Sequence, residues 1–129
     1  MVELIKATDL DMDFVLNFKL KSIENVYLIK YNDEKVGVLE YTKNVNNFIE
    51  EEPEVLIHIE YVEILEQYRR KGIGTKAIEK LNIGDMDFVS GNAIPSSVGF
   101  WKSLGADFGG EDEDIDYYLD KNICLGFII

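Results

Sequence analysis

Two groups of residues have types and spacing that suit chemistry. The first is Gln67-Tyr68-Arg69-Arg70-Lys71-Gly72-Ile73-Gly74-Thr75-Lys76, where two glycines one residue apart follow three consecutive cations. Glycine tolerates positive φ and lets a ligand approach the backbone. An apolar, strand-like run precedes the loop, and Ile73, Ala77, Ile78 and Leu81 follow it at helical spacing. The first N–H groups of such a helix have no internal partner and point at whatever sits there. Strand, basic glycine loop and helix in that order make an anion site, and a pyrophosphate fits it.

The second group is the set of polar residues inside the preceding strand: His58, Glu60 and Glu63. His58 and Glu60 share a face, because side chains alternate with period two. His58 is the only histidine, and an imidazole near pKa ~6.5 suits proton transfer at neutral pH. The bland readings are a hydrogen-bonded core histidine and a structural sheet glutamate. Glu63 has the opposite parity and is expected to partner a neighbouring cation.

Composition bounds what these groups can serve. A length of 129 residues predicts one domain over 1–129 with a real core. The net charge of −12 argues against a general nucleic-acid binder, which would be basic. Against that acidic background, Arg69, Arg70, Lys71, Lys76 and Lys80 are five of the 13 Lys and Arg residues. A solvated helix face with Lys76–Glu79-type pairs would explain the cations but not the two glycines. No apolar run approaches the roughly 20 residues of a membrane helix, so no membrane partner is expected. Glu3, Lys6 and Asp9 break any signal-peptide pattern, and the single Cys124 forbids an internal disulfide. Cys124 reads as a small buried hydrophobe, and a cytoplasmic location follows as the default. No metal site is expected. A Walker-type nucleotide loop fails, since it needs Gly-x-x-x-x-Gly-Lys-(Ser/Thr) and only Gly-Ile-Gly-Thr-Lys is present.

The elements that must position these residues read in order. Val2–Lys6 is a short strand, and Thr8 or Asp9 caps a helix over Leu10–Leu20 with Phe14, Val15 and Phe18 as its stripe. Asn25–Lys30 and Val36–Thr42 form a hairpin around the turn Asn32–Lys35. Lys43–Pro53 is an acidic loop. Val55–Leu65 is the longest strand, apolar on both parities as in a central strand, and long enough to predict a bulge or bend. The helix after the glycine loop runs to about Leu81, with Asn82 and Gly84 as stop signals. Met86–Ser90 is a buried strand; Pro95 opens a helix over Ser96–Leu104 that Gly105 ends. Ile115–Leu119 and Ile123–Ile129 read as strands, in a terminal hairpin around Lys121-Asn122.

That order, with this loop after the long strand, resembles the GNAT superfamily of acyl-CoA-dependent N-acetyltransferases. The family signature is (Gln/Arg)-x-x-Gly-x-(Gly/Ala), and Arg69-Arg70-Lys71-Gly72-Ile73-Gly74 satisfies it. A second family motif, Asn-x-x-Ala-x-x-(Phe/Leu)-Tyr-x-x-x-Gly, shares its spacing with Ile94 through Gly105. The family's Asn is Ile94 here, with Asn92 nearby, and its Tyr, often credited as the acid for the leaving thiolate, is Trp101. An indole N–H donates a hydrogen bond but does not titrate usefully. Either another group serves or the thiolate leaves unprotonated, which a thiol pKa near ~8.5 tolerates. Trp101 also reads as plain core.

The resemblance implies an α+β fold. A mixed, mostly antiparallel central sheet is splayed between the fourth and fifth strands and flanked by helices, here with a shortened N-terminal helical segment. It implies acetyl-CoA as cosubstrate and direct attack of a primary amine on the thioester. His58 and Glu60 fall where the family carries a general base. Ile64 and Leu65, with the backbone near Val62, fall where strand N–H groups hold the thioester carbonyl and pantetheine arm. Arg69, Arg70, Lys71, Gly72, Ile73, Gly74 and Thr75 fall on the pyrophosphate loop. The acceptor is a small-molecule or peptide amine. The acidic runs Glu111–Asp116 and Glu50–Glu54 would attract a cationic one, or simply aid solubility. The short N-terminal segment leaves the acceptor site open for a larger acceptor or completed by a second subunit in a homodimer. The alternative is a GNAT-like acyl-CoA-binding or regulatory module without turnover.

Overall fold

Among the described residues, six strands hydrogen-bond in chain order, β1 to β6, and three short helices accompany them. The computed structural model describes residues 1–20, 22–46, 52, 54–109, 120–121 and 125–129. The chain divides into two compact units: Met1–Thr42 with Glu60–Asp85, and Lys43–Ile59 with Met86–Ile129. Of the described pairings, β1–β2, β2–β3 and β5–β6 are antiparallel and β4–β5 is parallel. This is the mixed, mostly antiparallel α+β sheet expected from the sequence.

The first unit begins with β1 (Val2–Lys6), which pairs along its length with β2 (Val26–Tyr31). A two-residue turn, Asn32-Asp33, joins β2 to β3 (Glu34–Asn46). Both turn residues take positive φ, 50° and 68°, which matches the right-handed twist of the strands they join. Opposite Ile29 stands Gly37 and opposite Lys30 stands Lys35, so Val36 is an extra, bulged residue on β3. A Cβ on Gly37 would lie 2.4 Å from the Glu63 carbonyl oxygen, so only glycine lets the backbones of β3 and β4 (Glu54–Ile64) approach there.

Alternation along these strands gives the first unit two buried faces. One gathers Val26, Leu28 and Val38 with Ala7, Val15, Phe18 and Leu20, and Phe14, Ile23, Tyr61 and Leu65 pack against it. On the other parity Ile29 and Leu39 are fully buried. The helix expected over Leu10–Leu20 is far shorter. A 3-10 turn at Asp9–Asp11 leads into α1 (Met12–Val15), and no more. The Asn17 side-chain amide donates to the carbonyls of Asp13 and Phe14, and the backbone N–H groups of Asn17 and Phe18 fall back three residues instead of four. Asparagine's side chain here competes with the helical ladder and ends it.

The second unit holds the first half of β4, then β5 (Phe88–Ala93), α3 (Val98–Ser103) and β6 (Leu125–Ile128). Parallel pairing covers Leu56–Ile59 against Phe88–Gly91 and goes no further, although both strands continue. That short register is the splay expected between the fourth and fifth strands. Asp87 starts β5 by clamping Val55, accepting from its N–H at 2.6 Å and donating back to its carbonyl at 2.9 Å. The strand expected at Met86–Ser90 therefore starts two residues later and runs to Ala93. Pro95–Ser97 is a 3-10 turn before α3, so the helix expected from Ser96 starts at Val98. Trp101 is 1% exposed and stacks on Phe127 at 4.5 Å, with Phe108 5.7 Å from the same ring. Gly105, with φ 88°, ends the helix as expected. The strand Ile115–Leu119, the acidic run Glu111–Asp116, Cys124 and most of the Lys43–Pro53 loop lie outside the described residues; β6 pairs with β5.

Candidate functional site

β4 delivers the chain to the basic loop through a 3-10 turn, Glu66–Tyr68, in the first unit. Leu65 N–H donates to Val36 O at 2.8 Å, on the bulged residue of β3. A coenzyme contact at Leu65 is thereby left to its side chain and carbonyl. Arg70 then takes φ 64° and Gly72 φ 74°, two left-handed residues that reverse the chain. A side-chain-bearing residue in that region costs roughly 1–2 kcal/mol, so Arg70 is strained and Gly72 is not. Lys76 N–H returns to Gly72 O at 3.1 Å and starts α2 (Ile73–Glu79).

Ile73, Ala77 and Ile78 are buried and anchor α2, which packs on β1. The exposed loop is thus held from below by an apolar stripe. Helix geometry leaves the N–H groups of Ile73, Gly74 and Thr75 without intrahelical acceptors. The helix ends at Glu79 rather than Leu81, because Asn82 turns left-handed at φ 54°. Seven residues make a weak macrodipole, so the individual N–H groups carry the attraction for an anion. A Cβ on Gly72 would meet nothing within 4 Å, so the protein itself leaves that side of the loop clear. The residues fit a pyrophosphate cradle.

The cations of the loop are not equivalent. Arg69 Nε donates to Ile64 O at 2.8 Å, and its Nη2 reaches Glu63 Oε1 at 3.4 Å. Glu63 is the partner of a neighbouring cation, as its parity implied, and it also accepts from Tyr61 O–H at 2.6 Å. Burial, then that carboxylate, pushes the Tyr61 phenol well above its ordinary range. Lys71 Nζ lies 5.8 Å over the Tyr68 ring, and the Tyr68 hydroxyl donates to Glu34. Arg70 and Lys76 are exposed.

Glu60, also in the first unit, is exposed, and its charge adds to burial in raising the Glu40 carboxyl above the usual range.

His58 belongs to the second unit. Its ring is half-buried and borders a cleft of about 680 Å³, with Ser90, Asn92, Asp107, Phe108 and Phe127 among the lining residues. The parallel register sets His58 opposite Ser90, and Nδ1 lies 2.8 Å from Ser90 Oγ. Asn92 Nδ2 lies 3.5 Å from Nε2. Sequence reasoning missed Ser90, whose role depends on a register that no local pattern encodes. Asn92, near the position where the family motif has its asparagine, stands beside the imidazole. Trp101 is core, stacked on Phe127 and met edge-on by Phe100. No cluster of three or more His, Cys, Asp or Glu fit for a metal occurs among the described residues, and none of their helices is long and apolar enough to cross a membrane.

A family model described as the acetyltransferase (GNAT) family matches residues 5–82. Among solved structures, the chain is similar to Arabidopsis thaliana Naa50 in complex with the bisubstrate analogue CoA-Ac-MVNAL, at 19% identity and TM-score 0.66, covering 99% of this chain and 97% of that one. It is similar to the Bacillus subtilis N-acetyltransferase YlbP in complex with coenzyme A, at 16% identity and TM-score 0.68, covering 100% and 95%. It is also similar to Arabidopsis thaliana NAA60 in complex with acetyl-CoA, at 12% identity and TM-score 0.67, covering 100% and 99%. At these identities the likeness is one of fold. No curated protein sequence matches the chain.

Proposed function

The chain belongs to the GNAT family of acetyltransferases, and on that premise we propose that it transfers an acetyl group from acetyl-CoA to a primary amine. The observation that carries this reading is the Arg69–Thr75 loop. It combines two left-handed residues, a glycine with open space beside it and the first amides of a buried-faced helix. Its N–H groups from Gly72 to Thr75 hold the pyrophosphate, with Arg70 and Lys71 adding positive charge. Arg69, tied to Ile64 O, shapes the loop more than it contacts the ligand.

Acetyl-CoA supplies the acetyl group as an activated thioester. The backbone near Val62 and Ile64 donates to the carbonyl oxygen where negative charge develops; one preorganised donor is worth ~3 kcal/mol. The amine must arrive neutral although a free alkylamine titrates near ~10, so a base is needed. We assign that role to His58, whose ring is held by Ser90 beside the cleft, with Glu60 the second candidate. The nitrogen lone pair forms the new C–N bond, the C–S bond breaks toward sulfur, and the ammonium proton passes to the base. Trp101 supplies no proton from its stack, so the thiolate leaves as such. The acceptor is a small-molecule or peptide amine, and the cytoplasm is the proposed location.

A second reading is coenzyme binding without turnover, favoured by the burial of Trp101 where the family places a titratable tyrosine. Thermal shift with acetyl-CoA tests what both share. Thiol release across a panel of amines separates them: amine-dependent release supports the enzyme, and binding without release supports the module.

A further inference from the structure

Bare backbone forms much of the wall of the cleft beside His58: Gly91, Gly105, Gly109 and Gly126 border it. We propose that this cleft takes a primary amine with an aromatic or branched apolar body and no carboxylate beside the amine. The inference names the acceptor class and rests on the reading of the chain as an acetyl-CoA-dependent N-acetyltransferase.

Three of these glycines answer a need of the fold. Gly105 and Gly109 take φ 88° and 63°. A Cβ on Gly91 would lie 2.5 Å from the Phe127 ring. Gly126 answers neither need. It sits inside β6, its φ is not positive, and among the described residues an added Cβ would come no closer than 3.8 Å to another atom. Glycine weakens a strand interior and there often marks the close approach of a ligand. Gly126 stands opposite Asn92, and Ser90 opposite His58, so a side chain at 126 would project on the face that carries His58, Ser90 and Asn92. The space it leaves is acceptor space.

The side chains around that space define what fits. Among the described lining residues there is no Lys or Arg, and the one carboxylate is Asp107. Asp107 and Ile128 exchange both backbone bonds, at 2.7 and 2.9 Å, and Asp107 Oδ1 accepts from Gly109 N–H at 2.8 Å. The carboxylate is thereby held at the cleft. It attracts an ammonium and repels an acceptor bearing its own carboxylate, while one anion matches a linear diamine poorly. Ile128 is 61% exposed, and Phe88, two residues before Ser90 on the same face, is 51% exposed. Phe108 adds a half-buried ring to the lining. These surfaces suit an apolar body, and an aromatic one gains ring contacts besides.

Thiol release from acetyl-CoA should be compared for phenethylamine, phenylalanine, phenylalaninamide and butane-1,4-diamine. Phenethylamine should exceed phenylalanine and the diamine in kcat/KM by about tenfold or more. Phenylalaninamide, which lacks the carboxylate, should also exceed them; if it is the fastest, the source of the amine is a peptide terminus rather than a free arylalkylamine. Asp107→Asn keeps an acceptor for Gly109 N–H and should shrink the preference over phenylalanine to below about threefold. Gly126→Val should raise KM for phenethylamine roughly tenfold or more, with acetyl-CoA affinity and melting temperature kept. A preference for phenylalanine or the diamine, or an unaltered KM in Gly126→Val, overturns the proposal, and the wild-type panel decides even if a variant fails to fold. If no amine releases thiol, phenethylamine titrated into coenzyme A-loaded protein decides by the amide signals of Asn92, Gly126 and Ile128. Shifts confined to them keep the amine site and remove the catalytic reading; unmoved signals overturn the site itself.

Discussion

Arg69 Nε donates to the carbonyl of Ile64 at 2.8 Å, so the first cation of the basic loop is engaged by its own strand. The side chain is half exposed, and its ion pair with Glu63 is weak by geometry and solvation. Its value lies in fixing where the strand ends and the loop begins. Arg69→Ala should weaken acetyl-CoA binding about three- to tenfold, and Arg69→Lys should not restore it, because an ammonium cannot reproduce a guanidinium's directed fork. Calorimetric titration checks this, and an unchanged affinity in Arg69→Ala would remove the strut from the account.

Gly72 makes a sharper prediction. Its added Cβ meets nothing within the protein, so the cost of a side chain is conformational, from φ 74°, plus obstruction of the ligand. Gly72→Asp tolerates left-handed φ better than most residues and places a negative charge at the cradle. The folded protein should persist, with a melting temperature within a few degrees of wild type, while the thermal shift given by excess acetyl-CoA disappears. Retention of that shift would contradict the pyrophosphate site.

Gly37 shows the opposite pattern. Its Cβ would lie 2.4 Å from a backbone oxygen of β4, which cannot move without parting the strands. Gly37→Ala should destabilise by about 2–3 kcal/mol in urea unfolding, in the range of overpacked cores. A variant as stable as wild type would mean that the strands part more easily than this packing implies.

Two carboxylates predict opposite pH behaviour. A hydrogen bond from Lys35, then one from the Thr8 backbone, holds Asp11 below its ordinary 3.8 in the folded chain. The stability it contributes is present above the unfolded value and is lost as pH falls through the lowered one. Burial, then Glu60, raises Glu40 above its ordinary 4.5, so this group destabilises the fold at neutral pH and is relieved as pH falls through the raised value. Melting curves at pH 7, at pH 4 and below the ordinary 3.8 should therefore show Asp11→Asn harmful at pH 7 and at pH 4, and less so only below 3.8. Glu40→Gln should be stabilising at pH 7 and nearly neutral at pH 4. The reverse order for either variant would refute the assigned cause.

Much of this was legible in the sequence because it is encoded locally. The glycine loop, the hairpin turn at Asn32-Asp33 and the stop at Gly105 are each set by residues that tolerate unusual φ. The core helix stripe Ile73, Ala77, Ile78 follows from period alone. What was not legible depends on long-range pairing or on competition. Asn17 cut the first helix short with its own side chain, and Asp87 shifted the start of β5 by clamping Val55. Ser90 was invisible as a partner of His58 until the parallel register set them side by side. The occupied N–H of Leu65 likewise follows from the Val36 bulge, which no alternation pattern announces.

The most direct test of the central claim is thiol release from acetyl-CoA by the purified protein across primary amines, with His58→Ala and Gly72→Asp in parallel. Amine-dependent release is expected from the wild type. In His58→Ala it should fall by roughly a hundredfold at pH 7, with coenzyme binding kept, and in Gly72→Asp it should be lost together with coenzyme binding. Acetyl-CoA binding without release toward any amine, or release undiminished in Gly72→Asp, would contradict the account.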